Sequence, residues 1–173
     1  MKCLSVHDQH VDLFTKRLGL YIALLCTGVI LFGLYLQHGL GLVPCPMCIV
    51  QRYLVIATGI FALLVGLSNR PWLMRTGVGL SILSALTGAG VAARQSWLQW
   101  YPPEFKSCGR DLFGMIESFP LQRVLPMLLK GDGDCSSTEG ALFGVITIAN
   151  GSFMVFSFIA VLWIWTLSKP KQL

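Results

Sequence analysis

Residues 18–36 read Leu18-Gly-Leu-Tyr-Ile-Ala-Leu-Leu-Cys-Thr-Gly-Val-Ile-Leu-Phe-Gly-Leu-Tyr-Leu36, without one Asp, Glu, Lys or Arg. A helix needs about 20 mostly apolar residues to cross the hydrocarbon core of a bilayer, and this run supplies them. It starts directly after Lys16-Arg17, and the next charge is Arg52. That interval is too long for one helix. Its second part, Gln37 to Pro44, contains Gly39, Gly41 and Pro44 as breakers and reads as a loop. Further charge-free intervals lie between Arg52 and Arg70, between Arg75 and Arg94, and between Glu139 and Lys169. The expected architecture is an all-α integral membrane protein, a bundle of four spanning helices at about 18–36, 49–67, 76–93 and 142–167. One domain covers 1–173, with outer loops at about 37–48 and 94–141.

Composition agrees. Apolar residues make up 54% of the chain and charged residues 12%, with a mean hydropathy of +0.68. Soluble domains carry about 25% charged residues, so this chain needs lipid as part of its solvent. The net charge of +5 does not indicate nucleic acid, because the basic residues cluster at the ends of apolar runs, where topology signals belong. Lys2, Lys16 and Arg17 precede the first span, Arg70 and Arg75 sit in the second connection, and Lys169 and Lys171 follow the last span. The positive-inside rule then puts both termini in the cytoplasm. Lys106, Arg110, Arg123 and Lys130 lie in the long loop, and long loops weigh less in that rule. The first apolar run exceeds the h-region of a signal peptide and lacks an A-x-A-like site, so it reads as an uncleaved span.

This topology puts Cys45, Cys48, Cys108 and Cys135 on the outer side, while Cys3 is cytoplasmic and Cys26 lies within the first span as a small hydrophobe. An oxidising compartment such as a bacterial periplasm lets outer cysteines persist as disulfides. Cys45-Pro46-Met47-Cys48 forms a C-x-x-C motif that ends the first loop and opens the second span. Unsatisfied N–H groups and the helix dipole there favour an anion, and thiolate is the reactive form of cysteine. Arg52, four residues after Cys48, shares its face if Cys48 is already helical. Its guanidinium could favour the thiolate or donate to a quinone carbonyl; an Arg near a helix end also snorkels to head groups. A static disulfide or half of a zinc site are the other readings of the motif. Zinc sites pair two short-spaced ligand sets, and Cys108 and Cys135 stand far apart. A redox pair fits the position best, with no metal.

In the long loop, Trp97, Trp100 and Tyr101 stand where an interfacial aromatic belt belongs, although an inward ring could line a quinone pocket. Leu121, Val124, Leu125 and Leu128 follow the spacing of a short amphipathic helix, interrupted by Pro126. Gly131-Asp132-Gly133-Asp134 leads into Cys135 as a hinge; a calcium loop is the weaker reading, since the other EF-hand ligands are absent. A Cys108–Cys135 disulfide would either staple this loop or exchange with another pair through a mixed disulfide. The neighbouring C-x-x-C favours exchange.

Taken together, four spans, C-x-x-C opening the second, Arg52 four residues on, Leu98-Gln99-Trp100-Tyr101-Pro102 and Gly133-Asp134-Cys135 resemble the bacterial disulfide bond formation protein B family over nearly the whole chain. The resemblance implies an inner-membrane thiol oxidase with its active cysteines facing the periplasm. A periplasmic thioredoxin-like partner of the DsbA type would attack Cys108–Cys135, with Cys108 the site of the mixed disulfide. The loop thiols would reduce Cys45–Cys48, and Cys48 would pass electrons to ubiquinone or menaquinone with help from Arg52. Gln95 aligns with a His near the quinone in the best-studied member; its amide can hydrogen-bond a carbonyl but cannot carry charge. Gln51 stands where an acid is expected, which removes one partner for Arg52. Two other classes compete. A reductase of the vitamin K epoxide type usually has its C-x-x-C after the loop cysteines, the reverse of the order here. In a non-catalytic scaffold the disulfides would only staple loops.

Overall fold

The computed structural model describes residues 6–42, 44–101 and 147–168, with side chains from Leu13 onward. They form four long helices and, among the described residues, no strand: α1 (Val6–Gly39), α2 (Pro46–Leu67), α3 (Pro71–Trp100) and α4 (Ile148–Ser168). Each contains a segment long and apolar enough to cross a membrane, in α1 from Leu13. The expected four-span architecture stands.

The helices stop at backbone signals rather than at charges. α1 continues through Gln37, expected in the loop, to Gly39. It breaks at Gly41, whose φ of +69° is a left-handed conformation that suits glycine, and Leu42 N–H turns back to Leu36 C=O at 3.2 Å. α2 and α3 each begin with a proline at the first helical position, where the missing N–H has no cost. α3 also runs past Arg94, the expected start of the outer loop, to Trp100, with Tyr101, the residue before Pro102, as its C-cap. Charge at Arg94 is compatible with helix though not with lipid, so the helix carries Gln95 on its last turns. The expected start of the fourth span at 142 and the amphipathic helix in the outer loop lie outside the described residues.

Packing proceeds in chain order, α1 on α2, α2 on α3 and α3 on α4. Phe14 and Trp165 bridge α1 and α4 edge to face, their centroids 6.2 Å apart. The core contains Ile22, Cys26, Val55, Ala62, Val65, Val78, Ala85, Phe156, Ile159 and Trp163. Cys26 is an ordinary core residue, in contact with the backbone at Gly59. Lipid is no worse a solvent for Leu than a protein core is, so helices associate by close packing of small residues and by hydrogen bonds. Both occur here. Trp163 Nε1 donates to Ser81 Oγ at 2.9 Å, and Thr58 and Ser84 share a 2.9 Å hydroxyl hydrogen bond between α2 and α3. Outward, Leu24, Leu31, Leu63, Leu83, Phe158 and Val161 form an exposed apolar surface that fits acyl chains.

Gly88 shows how tight the α3–α4 contact is. A β-carbon there would lie 2.5 Å from the ring of Phe156, which is itself 1% exposed and has nowhere to go. Gly88→Ala should cost about 1–3 kcal/mol by overpacking, read as a lower midpoint of thermal unfolding in detergent. An unchanged midpoint would mean that α4 slides freely on α3.

Candidate redox site at the start of the second helix

The site is built by Pro46. A residue before proline is pushed out of the helical region, and Cys45 is extended at φ −84°, ψ 163°. It therefore becomes the N-cap of α2, and its Sγ accepts a hydrogen bond from Cys48 N–H at 3.3 Å. This cap interaction folds Cys45 over the first turn. The two Sγ atoms come to 2.9 Å, joined by a hydrogen bond between thiols. Cys48, the third residue of the helix, sits where the orphan N–H groups and the dipole favour negative charge. Cys45 is buried and Cys48 half-buried, with Met47, Val91 and Leu98 packed around them.

The second wall comes from α3. Gln95, 3% exposed, points its Nε2 at both sulfurs, 3.3 Å from Cys48 and 3.4 Å from Cys45. Its Oε1 accepts from Nε2 of Gln51 on α2 at 2.7 Å. The hydrogen bond with Cys48, and after it burial, hold the Cys45 thiol well above the ordinary range. A pair so joined shares one proton between its sulfurs when singly ionised, and the helix N-terminus favours negative charge at its first turn.

Arg52 lies one turn beyond Cys48, on the same face as expected, and is half-buried. Its guanidinium donates from Nη1 to Gln37 Oε1 at 2.7 Å and from Nη2 to Gly33 C=O at 3.4 Å, both on α1. It interacts electrostatically with both cysteines. Trp97, Trp100 and Tyr101 are exposed at the end of α3, and Trp97 stacks on Tyr101 with centroids 4.9 Å apart. They face outward as a belt would.

Of the expected site residues, the structure brings together Cys45, Cys48 and Gln95, with Arg52 beside them; Cys108 and Cys135 lie outside the described residues. Among the described residues no group of three His, Cys, Asp or Glu side chains could hold a metal. Two contributors escaped the sequence reading. Gln37, which the breakers after it place in a loop, lies in α1 one helical turn from Gly33, so both acceptors of Arg52 share a face of that helix. Gln51, in the sequence only an acid's replacement, is a donor to Gln95.

The chain has counterparts along most of its length. The family model described as disulfide bond formation protein DsbB matches residues 15–166. A disulfide bond formation protein B from Albidiferax ferrireducens is 52% identical over 152 residues, 88% of this chain and 87% of that protein. One from Verminephrobacter eiseniae is 51% identical over 162 residues, covering 92% and 89%, and one from Polaromonas naphthalenivorans is 53% identical over 144, covering 83% and 86%. A match that runs through all four helices and half of the residues, in proteins of similar length, leaves one assignment: this multi-pass membrane chain belongs to the disulfide bond formation protein DsbB family.

Proposed function

We propose that the chain is a quinone-dependent thiol oxidase of the bacterial inner membrane, with both termini cytoplasmic and its active cysteines facing the periplasm. It reoxidises a thioredoxin-like dithiol protein of the DsbA type and so sustains disulfide formation in exported proteins. The observation that carries this reading is the sulfur pair at the mouth of a spanning helix, 2.9 Å apart and faced by a buried amide donor. The start of a spanning helix belongs at the level where water meets lipid, which suits exchange both with an aqueous thiol partner and with a lipid-soluble acceptor.

The exchange steps balance as follows. A partner thiolate attacks Cys108 of the Cys108–Cys135 disulfide, and the partner's second thiol resolves the mixed disulfide, leaving two loop thiols. These reduce Cys45–Cys48 in the same way. Cys45 holds a proton, Cys48 carries the thiolate, and Gln95 N–H steadies the developing charge. Cys48 gives up one proton on ionising and Cys45 the second as the Cys45–Cys48 bond re-forms, so two electrons and two protons are passed on in all. The donors beside Cys48 suit a carbonyl oxygen: the Gln95 amide, oriented by Gln51, and the Arg52 guanidinium, held by Gln37. Ubiquinone or menaquinone bound there supplies the two-electron, two-proton acceptor.

The test uses the purified full-length chain in lipid nanodiscs with a reduced DsbA-type partner and a short-chain ubiquinone or menaquinone analogue. Partner disulfide and quinol should form in equal amounts, at a rate proportional to the chain added. A partner that stays reduced in the presence of either quinone would sink the proposal and leave a membrane scaffold with structural cysteines.

A further inference from the structure

Gln51 and Gln95 are 4% and 3% exposed and face one another between α2 and α3. In lipid, buried polar groups must find partners within the protein. A carboxamide has one end that donates and one that accepts, so two facing amides can be connected in two senses. In the observed sense, Gln51 Nε2 donates to Gln95 Oε1, and Gln95 Nε2 faces Cys48 and Cys45. In the reverse sense Gln95 would donate to Gln51 and turn its carbonyl oxygen toward the sulfurs. An oxygen lone pair against a thiolate is repulsive, and the thiolate would lose a charge-assisted hydrogen bond.

The sulfurs favour the sense in which Gln95 N–H faces them, and Gln51, as donor to Oε1, favours the same one. It sits three residues after Cys48 on the same helix, one turn away, so the backbone that carries the sulfur also carries the group that orients its donor. We propose that Gln51 is a positioning residue for the Cys45–Cys48 pair, fixing the Gln95 amide so that N–H rather than C=O faces the sulfurs. This deepens the redox reading and rests on it. The N–H of Gln95 stabilises the reduced pair, with its thiolate, more than the disulfide, whose sulfurs are weak acceptors. Gln51 therefore keeps the pair oxidising without touching either sulfur.

The experiment is a redox titration of the full-length chain in glutathione buffers, with differential alkylation and mass spectrometry reading the Cys45–Cys48 peptide itself. Gln51→Met keeps length and removes the donor. It should shift the dithiol–disulfide equilibrium toward the disulfide by roughly tenfold, a potential about 30 mV more negative. Gln95→Met should shift it at least as far, and adding Gln51→Met to that variant should change nothing further. A potential equal to wild type in Gln51→Met overturns the proposal, as does a full additional shift in the double variant, since Gln51 would then act independently of Gln95. Loss of thermal stability with no change in potential also overturns it, because that is the mark of a merely structural amide. Gln51→Leu carries the same test if the Met variant does not accumulate. A wild-type pair that forms no reversible disulfide overturns the redox reading of the site as well, and so is told apart from failure of the Gln51 assignment alone.

Discussion

Cys48→Ser reduces quinone at no more than the uncatalysed background, whichever thiol donor is offered, whereas Cys108→Ser loses only the reaction with the protein partner. This is the largest effect the proposed relay predicts. A serine hydroxyl stays protonated under conditions where a cysteine at a helix N-terminus ionises, and it cannot form the S–S bond that releases the electrons. No neighbouring group can stand in for it, because Cys45 is left without the partner sulfur it faces at 2.9 Å. Dithiothreitol needs no loop cysteine to reach Cys45–Cys48, so the Cys108→Ser protein should still couple that reagent to quinone at a measurable rate. Stopped-flow or steady-state absorbance of the quinone, with each donor in turn, reads both halves. Equal loss with both donors in Cys108→Ser would assign the loop cysteines to folding instead of exchange.

Arg52→Gln should lower kcat/KM for the quinone by roughly 10- to 100-fold, the equivalent of one charge-assisted hydrogen bond of about 1.5–3 kcal/mol. The guanidinium is held from α1 by Gln37 and by the Gly33 carbonyl, so its charge is fixed near the sulfurs instead of ranging over the head groups. Arg52→Lys separates two contributions. If charge acting on the Cys48 thiolate dominates, Lys retains most of the activity. If planar donation to a carbonyl dominates, Lys raises KM nearly as far as Gln does, because an ammonium cannot reproduce the fork. Initial rates over a range of quinone concentrations resolve kcat from KM. Wild-type kinetics in the Gln variant would remove Arg52 from the site and leave it a snorkelling anchor.

The spans were legible in the sequence because lipid imposes a blunt requirement, roughly 20 residues without charge. Their ends were not, because a helix obeys its backbone. Arg94 marked the edge of the lipid-compatible run, but α3 continued to Trp100 until the chain met Pro102. That difference matters most for the site, since it turns Gln95 from a loop residue into one held rigidly against the sulfurs. Local spacing announced the neighbourhood of Cys45, Cys48 and Arg52, all within two turns of one helix start. Gln37 and Gln51 could not be read the same way. An amide has no charge to flag it, and its partner is chosen by how α1 and α3 pack against α2, which no spacing within one helix encodes.

Pro46 has one more effect, on how much the protein must rearrange when the pair changes state. Cys45 is kept extended by the ring that follows it, and Cys48 is locked into the first turn of a 22-residue helix, so neither backbone has an alternative nearby. The sulfurs, already at 2.9 Å, need to close by less than about 1 Å to reach a bond of about 2.05 Å. The change of state is thus expected to be confined to the sulfurs and their side chains, with the backbone at the helix start acting as a fixed jig for both.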